Sequence, residues 1–214
     1  MDRIKIRPEE TCIRPTEEKD IEAVLQIYDM ARRTMRESGN PLQWPTDGGY
    51  PGPAELNEDM RRCASYVIEH EGRVIGTFAL VSGEEPSYAN ITDGHWLDED
   101  AGAAKRKHED GSSWPPKPGD GNSRRARSER QSYETSSPYC TIHRLAGNPS
   151  YSGIAGCCFD WCKRRSASLR SDTHRDNRIM QHAFEAAGFV RCGIIFLKNG
   201  SERTAYQWMR DDNE

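Results

Sequence analysis

The stretch Tyr139–Phe189, YCTIHRLAGNPSYSGIAGCCFDWCKRRSASLRSDTHRDNRIMQHAFEAAGF, decides the fold. Its opening segment, Tyr139 to Ala146, sets Ile142 and Leu145 among the β-favouring Tyr139 and Thr141 and predicts a strand. A glycine-bearing turn runs from Gly147 to Gly156, followed by an apolar helical pattern through Cys157, Cys158, Phe159, Trp161 and Cys162. A second strand, Ser168 to Thr173, leads through His174-Arg175-Asp176-Asn177 into a helix that stops at Gly188-Phe189. Strand, glycine turn and helix together can hold an anion, because the first turn of a helix has free N–H groups and a partial positive end. Backbone must approach phosphate oxygens closely there, and Gly153, Ala155 and Gly156 are small enough to allow it. The same turn also serves as plain helix entry, and its spacing alone does not separate the two readings.

Taken together these residues resemble the GNAT superfamily of acyl-CoA N-acyltransferases at its two most recognisable motifs. The first, a strand followed by a Pro-x-Tyr-bearing glycine turn and a helix, is matched by Pro149-Ser150-Tyr151 and Gly153-Ile154-Ala155. The second, an Asn that opens the next helix with Gly-Phe closing it, is matched by Asn177 and Gly188-Phe189. Ile142-His143-Arg144, Asp172-Thr173-His174 and Gly200-Ser201-Glu202-Arg203 look like one bacterial branch of that family. The resemblance covers most of the chain apart from one insertion.

What the resemblance implies is an α/β (α+β) domain with a mixed, mostly antiparallel sheet of six to seven strands and about four helices. The fourth and fifth strands would be splayed so that the pantetheine arm of acetyl-CoA slots between them. The implied reaction is transfer of an acetyl group from acetyl-CoA to a primary amine by direct attack in a ternary complex. The acceptor is a small-molecule amine, a peptide terminus or a lysine. Leu145 and Gly147 would present backbone to the cofactor and its thioester. Ser152, Gly153, Ile154, Ala155 and Gly156 would grip its diphosphate, and Asn177 would reach the arm from the other side. One departure keeps an alternative open, an acyl-CoA-binding protein of this fold without turnover. The Tyr that many members place four residues before the terminal Gly of the last helix, to protonate the thiolate, is Phe184 here. The turn is also shorter than usual, which leaves open whether Gly153 or Gly156 takes the role of its first glycine.

The reaction needs a base, and imidazole titrates nearest neutral pH, which singles out His143 and His174. His143 is preferred because it lies just before the bulge expected in the fourth strand; the competing reading is a histidine bonded to a strand carbonyl. Asp172 and His174, two apart on a strand, share a face and form either an oriented catalytic pair or a structural hydrogen bond. Between Asn40 and Pro53 the chain reads NPLQWPTDGGYPGP, a loop that carries Trp44 and Tyr50. These two and Arg144 are candidates for the acceptor side, since the family places acceptor residues between its first two helices. Trp44 could equally plug the space beneath the loop.

Elsewhere the sequence predicts a first strand ending Cys12-Ile13-Arg14, then a helix capped by Thr16 with Ile21, Val24, Leu25, Tyr28 and Met35 on one face. A second helix is expected over Ala54 to Ala64. A hairpin follows, Ser65 to Ile68 and Arg73 to Val81, joined by Glu69-His70-Glu71-Gly72. A short extended segment falls between Tyr88 and Trp96, and a closing hairpin joins Val190 to Leu197 with Arg203 to Met209 across Lys198-Asn199-Gly200-Ser201.

The segment from 101 to 137 has one Trp, one Tyr and no Ile, Leu, Val or Phe, so it cannot offset its ordering entropy and reads as a disordered insertion in a single domain, 1–214. Its clusters Lys105-Arg106-Lys107 and Arg124-Arg125-Ala126-Arg127 could bind nucleic acid or an acidic partner, but a solvated linker with incidental charge is the preferred reading and a nucleic-acid partner is not the expectation. A net charge of -4 points the same way for the whole chain. Hydrophobic content of 35% and a mean hydropathy of -0.90 are low for a compact domain, as an unfolded insertion would make them. The first residues, MDRIKIRPEETC, lack the apolar core of a secretory signal, so the seven cysteines are expected to be reduced thiols in a cytoplasmic protein. No run approaches the roughly 20 apolar residues that span a bilayer, so no membrane partner is expected.

Metal is not expected either. Cys157, Cys158 and Cys162 have the spacing of a core face, and Cys140 with His143 is a lone pair. His174-Arg175-Asp176 is not a kinase catalytic loop, because Gln181 stands where a metal-binding Asn is required. Monomer and homodimer both stay open.

Overall fold

The computed structural model describes residues 3–44, 49–98 and 139–211. The insertion at 101–137, its basic clusters and the last three residues lie outside the described residues. The strands are β1 (Ile4–Lys5), β2 (Cys12–Pro15), β3 (Ser65–His70), β4 (Arg73–Ser82), β5 (Ile91–Thr92), β6 (Cys140–Gly147), β7 (Tyr151–Ser152), β8 (Ser168–Thr173), β9 (Val190–Phe196) and β10 (Glu202–Met209). Four α-helices fall among the described residues: α1 (Ile21–Glu37), α2 (Pro53–Arg61), α3 (Ile154–Lys163) and α4 (Arg178–Ala186).

Eight strands form one sheet in the order β2-β3-β4-β6-β8-β10-β9-β5, and β1 pairs with β7 in a separate parallel ribbon. The large sheet has one strand more than the six to seven expected. The two-residue β5, Ile91 and Thr92, lies within the short extended segment expected between Tyr88 and Trp96 and extends the sheet beyond β9. All neighbours in this sheet are antiparallel except β6 and β8.

Period-two alternation distributes the core to the two faces of this sheet. On β3, Tyr66 and Ile68 join a cluster with Phe78, Ile142, Leu169, Tyr206 and the inner faces of α3 and α4, while Val67 points the other way onto Val24, Ile27, Tyr28 and Leu56 of α1 and α2. Cys157, Cys158 and Cys162 are buried in the first cluster, as their helical spacing predicts, and all seven cysteines are free thiols. Phe159, Phe184 and Phe189 pack at centroid separations of 5.1 to 5.3 Å, and Tyr206 stacks on Phe184 at 4.9 Å. Full burial of each such ring contributes about 1.5–3 kcal/mol.

The amino-terminal expectations need correction. The residues from Arg3 to Arg14 form two separate strands, because a 3-10 turn at Pro8–Glu10 breaks the run. β2 keeps its expected place at the sheet edge, while Ile4 and Ile6 donate their N–H groups to the Ser150 and Ser152 carbonyls at 2.9 Å and lay β1 along β7. Thr16 is not the cap of α1. Its hydroxyl is bonded to that of Ser65 at 2.7 Å, and the helix starts at Ile21 after a 3-10 turn over Glu18–Asp20. Asp20 accepts from the Glu17 N–H at 2.9 Å and from both terminal nitrogens of Arg14, at 2.6 and 3.0 Å. α2 ends at Arg61, three residues before the predicted end.

Candidate active site

The middle of the sheet is where the strands part. β6 and β8 are paired only at Cys140 with Leu169 and Thr141 with Arg170; beyond those residues they diverge. Ile142, His143 and Leu145 of β6 and Ser171, Asp172 and Thr173 of β8 then line a cavity of 510 Å³. Its outer wall comes from the loop after α1 and from α2, through Gln43, Trp44, Tyr50 and Asp59. Within the gap only the Ser171 hydroxyl crosses, donating to the Ile142 carbonyl at 2.8 Å.

β6 also carries the expected bulge. Thr77 of β4 faces Ala146 and Ala79 faces His143, so Arg144 and Leu145 together oppose Phe78 alone. Arg144 takes a left-handed backbone, φ +52, at that point. Its guanidinium grips Asp59 with two bonds of 2.6 and 2.5 Å and donates to the Tyr50 hydroxyl at 3.4 Å. Asp59 is buried, 5% exposed in its side chain, and Arg144 is 12% exposed, so each depends on the other for neutralisation.

His143, the preferred candidate base, lines the same cavity. Its Nε2 lies 3.4 Å from a Glu85 carboxylate oxygen. Glu85 follows β4 and caps a 3-10 turn, its second oxygen accepting from the Ser87 N–H at 3.3 Å and the Ser87 hydroxyl at 3.1 Å. The His143 contact, ahead of the opposing effect of burial, lowers the Glu85 pKa from its ordinary 4.5 to about 2. Glu85 is therefore an anion throughout the working pH range.

A pH dependence of stability follows from that shift. The folded-state value lies below the unfolded one, so between pH 4.5 and about 2 the unfolded chain binds more protons. Stability from this contact is complete above pH 4.5 and is lost as pH falls toward 2. Glu85→Gln is expected to flatten the acid limb of a Tm-against-pH curve in that window; an unchanged limb would show that Glu85 does not set it.

Of the other proposed catalytic residues, Asp172 reaches the cavity and His174 does not. The expected pairing of the two is absent. Asp172 accepts from the Tyr88 hydroxyl at 2.8 Å and lies 3.7 Å from the Arg203 Nε, whereas His174 sits past the end of β8 with its Nδ1 accepting from the Asp176 N–H at 3.3 Å. Burial and the Arg203 charge both lower the His174 pKa. Burial raises that of Tyr88 well above its usual value, and the Asp172 charge adds to it, so Tyr88 keeps its proton and donates it to Asp172.

Trp44 plugs the space beneath its loop, edge-on to Tyr28 at 5.9 Å and to Tyr50 at 6.5 Å, and also faces the cavity. Tyr50 and Arg144 complete that wall. Glu85 and Gln43 were missed in the sequence. Glu85-Pro86-Ser87 has the form of a helix cap, but nothing local shows that it faces His143.

The residues proposed for the diphosphate lie beyond the end of β6. Gly153 has φ +95, and a Cβ there would stand 2.5 Å from the Ile6 carbonyl oxygen, so the position excludes any side chain. Gly147 meets the Ile154 side chain at 2.5 Å by the same construction; close packing, rather than ligand contact, accounts for it. α3 begins at Ile154, and its first helical bond runs from the Cys157 N–H to the Gly153 carbonyl at 3.1 Å. The N–H groups of Ile154, Ala155 and Gly156 therefore have no acceptor within the helix. A Cβ on Gly156 would meet nothing within 4 Å, so the side of the first turn at Gly156 is open. Ser152 is tied to β1 through its carbonyl. Asn177 caps α4, accepting from the Met180 N–H at 3.2 Å, and lines the cavity.

Comparison with solved structures identifies this architecture. A GNAT-family acetyltransferase from Streptococcus agalactiae matches with a TM-score of 0.71 at 22% identity, over 94% of this chain and 96% of that one. One from Listeria monocytogenes matches at 0.55 and 14%, over 94% and 95%. A Salmonella typhimurium protein described as an acetyltransferase, and solved with its cofactor acetyl-CoA, matches at 0.52 and 12%, over 95% and 96%. No family model and no curated protein matches the sequence. The fold is that of the GNAT acetyltransferases.

Among the described residues no helix is long and apolar enough to cross a membrane.

Proposed function

We propose that the protein is an acyl-CoA-dependent N-acyltransferase that transfers an acetyl group from acetyl-CoA to a primary amine within a ternary complex. The observation that carries this reading is the divergence of β6 and β8 after Thr141 and Arg170, opening onto a cavity that holds His143. The residues present fit an acyl-CoA. A pantetheine arm has the length and hydrogen-bonding groups of an extended peptide, and the gap presents two unpaired strand edges to it. The free N–H groups of Ile154, Ala155 and Gly156 suit a diphosphate, with open space outside Gly156.

When bound, the thioester supplies an activated acetyl carbon. The chain's own residues orient the acceptor and manage its proton. His143 takes a proton from the incoming amine, and Glu85 holds the imidazole in position and stabilises its charged form. Peptide N–H groups about the Arg144–Leu145 bulge are the donors for the thioester oxygen. Trp44, Tyr50 and Arg144 bound the acceptor side, where Asp59 cancels the Arg144 charge and leaves the site free of a net cation that would repel an amine. The cytoplasm is the compartment proposed, with its acetyl-CoA and reduced thiols, and the insertion at 101–137 is read as an appendage of a single catalytic domain.

One observation favours a second reading, binding of acyl-CoA without turnover. Phe184 lines the cavity where a thiolate-protonating Tyr would stand, and it is held in the stack with Phe159, Phe189 and Tyr206. Calorimetry with acetyl-CoA, followed by thiol release across a panel of amines, separates the cases. Saturable binding with amine-dependent release supports the transferase. Binding without release supports the second reading, and no binding at millimolar acetyl-CoA rejects both.

A further inference from the structure

Gln43 sits in the loop between α1 and α2, one residue before Trp44, and its side chain crosses the cavity rim to the far side of the sheet. Three donors converge on its side-chain oxygen: the Thr173 hydroxyl at 2.9 Å, the His174 N–H at 2.6 Å and the Asn177 amide at 3.4 Å. All three belong to the corner where β8 ends and α4 begins. The same loop is held a second time, through backbone. The Arg203 guanidinium, 6% exposed, donates to the Leu42 carbonyl at 3.5 Å and the Gln43 carbonyl at 3.3 Å, while its Nε faces Asp172.

The local sequence cannot account for this. Among the described residues, the wall has other anchors toward α1 and β6, where Arg32 donates to the Pro51 carbonyl at 2.5 Å and Arg144 to the Tyr50 hydroxyl at 3.4 Å. Packing of Trp44 on Tyr28 supplies apolar contact on one side only. What ties the wall to the corner of β8 and α4 is the Gln43 side-chain oxygen, with Arg203 holding the Leu42 and Gln43 carbonyls beside it.

We propose that Gln43 is a positioning residue: it fixes the wall formed by Trp44 and Tyr50 against the corner formed by Thr173, His174 and Asn177, and so sets the width of the cleft between acceptor and acyl donor. The role in acceptor binding rests on the transferase reading; the latch itself does not. The oxygen is the working atom, because a hydroxyl and two N–H groups can share only an acceptor. A Glu at position 43 keeps that acceptor at the same reach, and a Met keeps length and shape without it.

The test compares Gln43→Met, Gln43→Glu and Gln43→Asn by amide hydrogen exchange, with β3 as the distant control. The best amine from the panel then serves for kinetics. In Q43M, exchange at the His174 amide and over residues 49–52 is expected to speed up about tenfold while β3 is unchanged, since an interior hydrogen-bond anchor is lost. Acceptor KM should rise about tenfold with kcat within a few-fold of the parent, and acetyl-CoA affinity should hold. Q43E should remain near the parent in both measurements. Q43N, whose oxygen falls short, should follow Q43M and replaces it if Q43M does not fold. Unchanged exchange in Q43M and Q43N, or loosening in Q43E equal to theirs, overturns the latch. Loosened exchange with unchanged acceptor KM overturns the acceptor role. Should the unmodified protein bind no acetyl-CoA, the transferase reading fails on that measurement alone, and the exchange comparison still decides the latch.

Discussion

Replacing His143 with Ala lowers amine-dependent release of CoA by roughly 10²–10⁴-fold at neutral pH, the range typical of a lost general base, with acetyl-CoA affinity changed by no more than a few-fold. The split between activity and binding is expected because His143 is reached from the cavity between the strands, whereas the N–H groups assigned to the diphosphate open α3 beyond the end of β6. Glu85 gives a graded companion. Glu85→Gln leaves the imidazole in place but removes the anion beside it, and activity should fall by less than in H143A. Steady-state kinetics with a fixed amine and calorimetry on the same samples read both. Retention of more than a tenth of the activity in H143A would remove His143 from the base role.

The second large effect is on stability. Asp59→Ala leaves the Arg144 guanidinium buried with no carboxylate against it, and breaking a buried pair in this way costs about 3–5 kcal/mol. In a protein of this size that corresponds to a fall in Tm of roughly 6–20 °C. Removing both charges, as Asp59→Leu with Arg144→Leu, should recover most of the loss, because the cost lies in the orphaned charge rather than in the missing attraction. Thermal denaturation of the two variants decides it. A double variant as unstable as D59A would mean that the pair contributes shape to the bulge, where Arg144 holds its left-handed backbone, and not merely charge balance.

How far the site could be read from the chain depended on whether its determinants were local. β8 was placed to the residue as Ser168–Thr173 although SLRSDT is mostly polar, because it fills the interval between the apolar helix before it and the His174–Asn177 turn that opens the next. Asn177 as the cap of α4 was equally legible, because the bond it makes lies within its own turn. Thr16 failed as a cap for the opposite reason: Ser65, distant in sequence, takes its hydroxyl. The β1–β7 ribbon, the Glu85–His143 contact and the Gln43 latch all join residues far apart in sequence, and none has a periodic or compositional mark. His174 shows the limit of face arguments. Two residues from Asp172 it would share its face on a continuing strand, but β8 ends at Thr173 and the chain turns. The bulge was anticipated through resemblance, yet its partner Asp59 was not, because a carboxylate on a short helix looks like any solvated charge until the facing strand is known.

The two-residue pairing of β6 with β8 has a consequence for the empty molecule. A sheet unzipped along an interior seam carries there what most proteins keep only at their margins, a row of main-chain groups seeking a neighbour. Between β6 and β8 that row begins after Thr141 and Arg170 and faces the cavity. On the transferase reading, the row is filled by the extended pantetheine arm of an acyl-CoA.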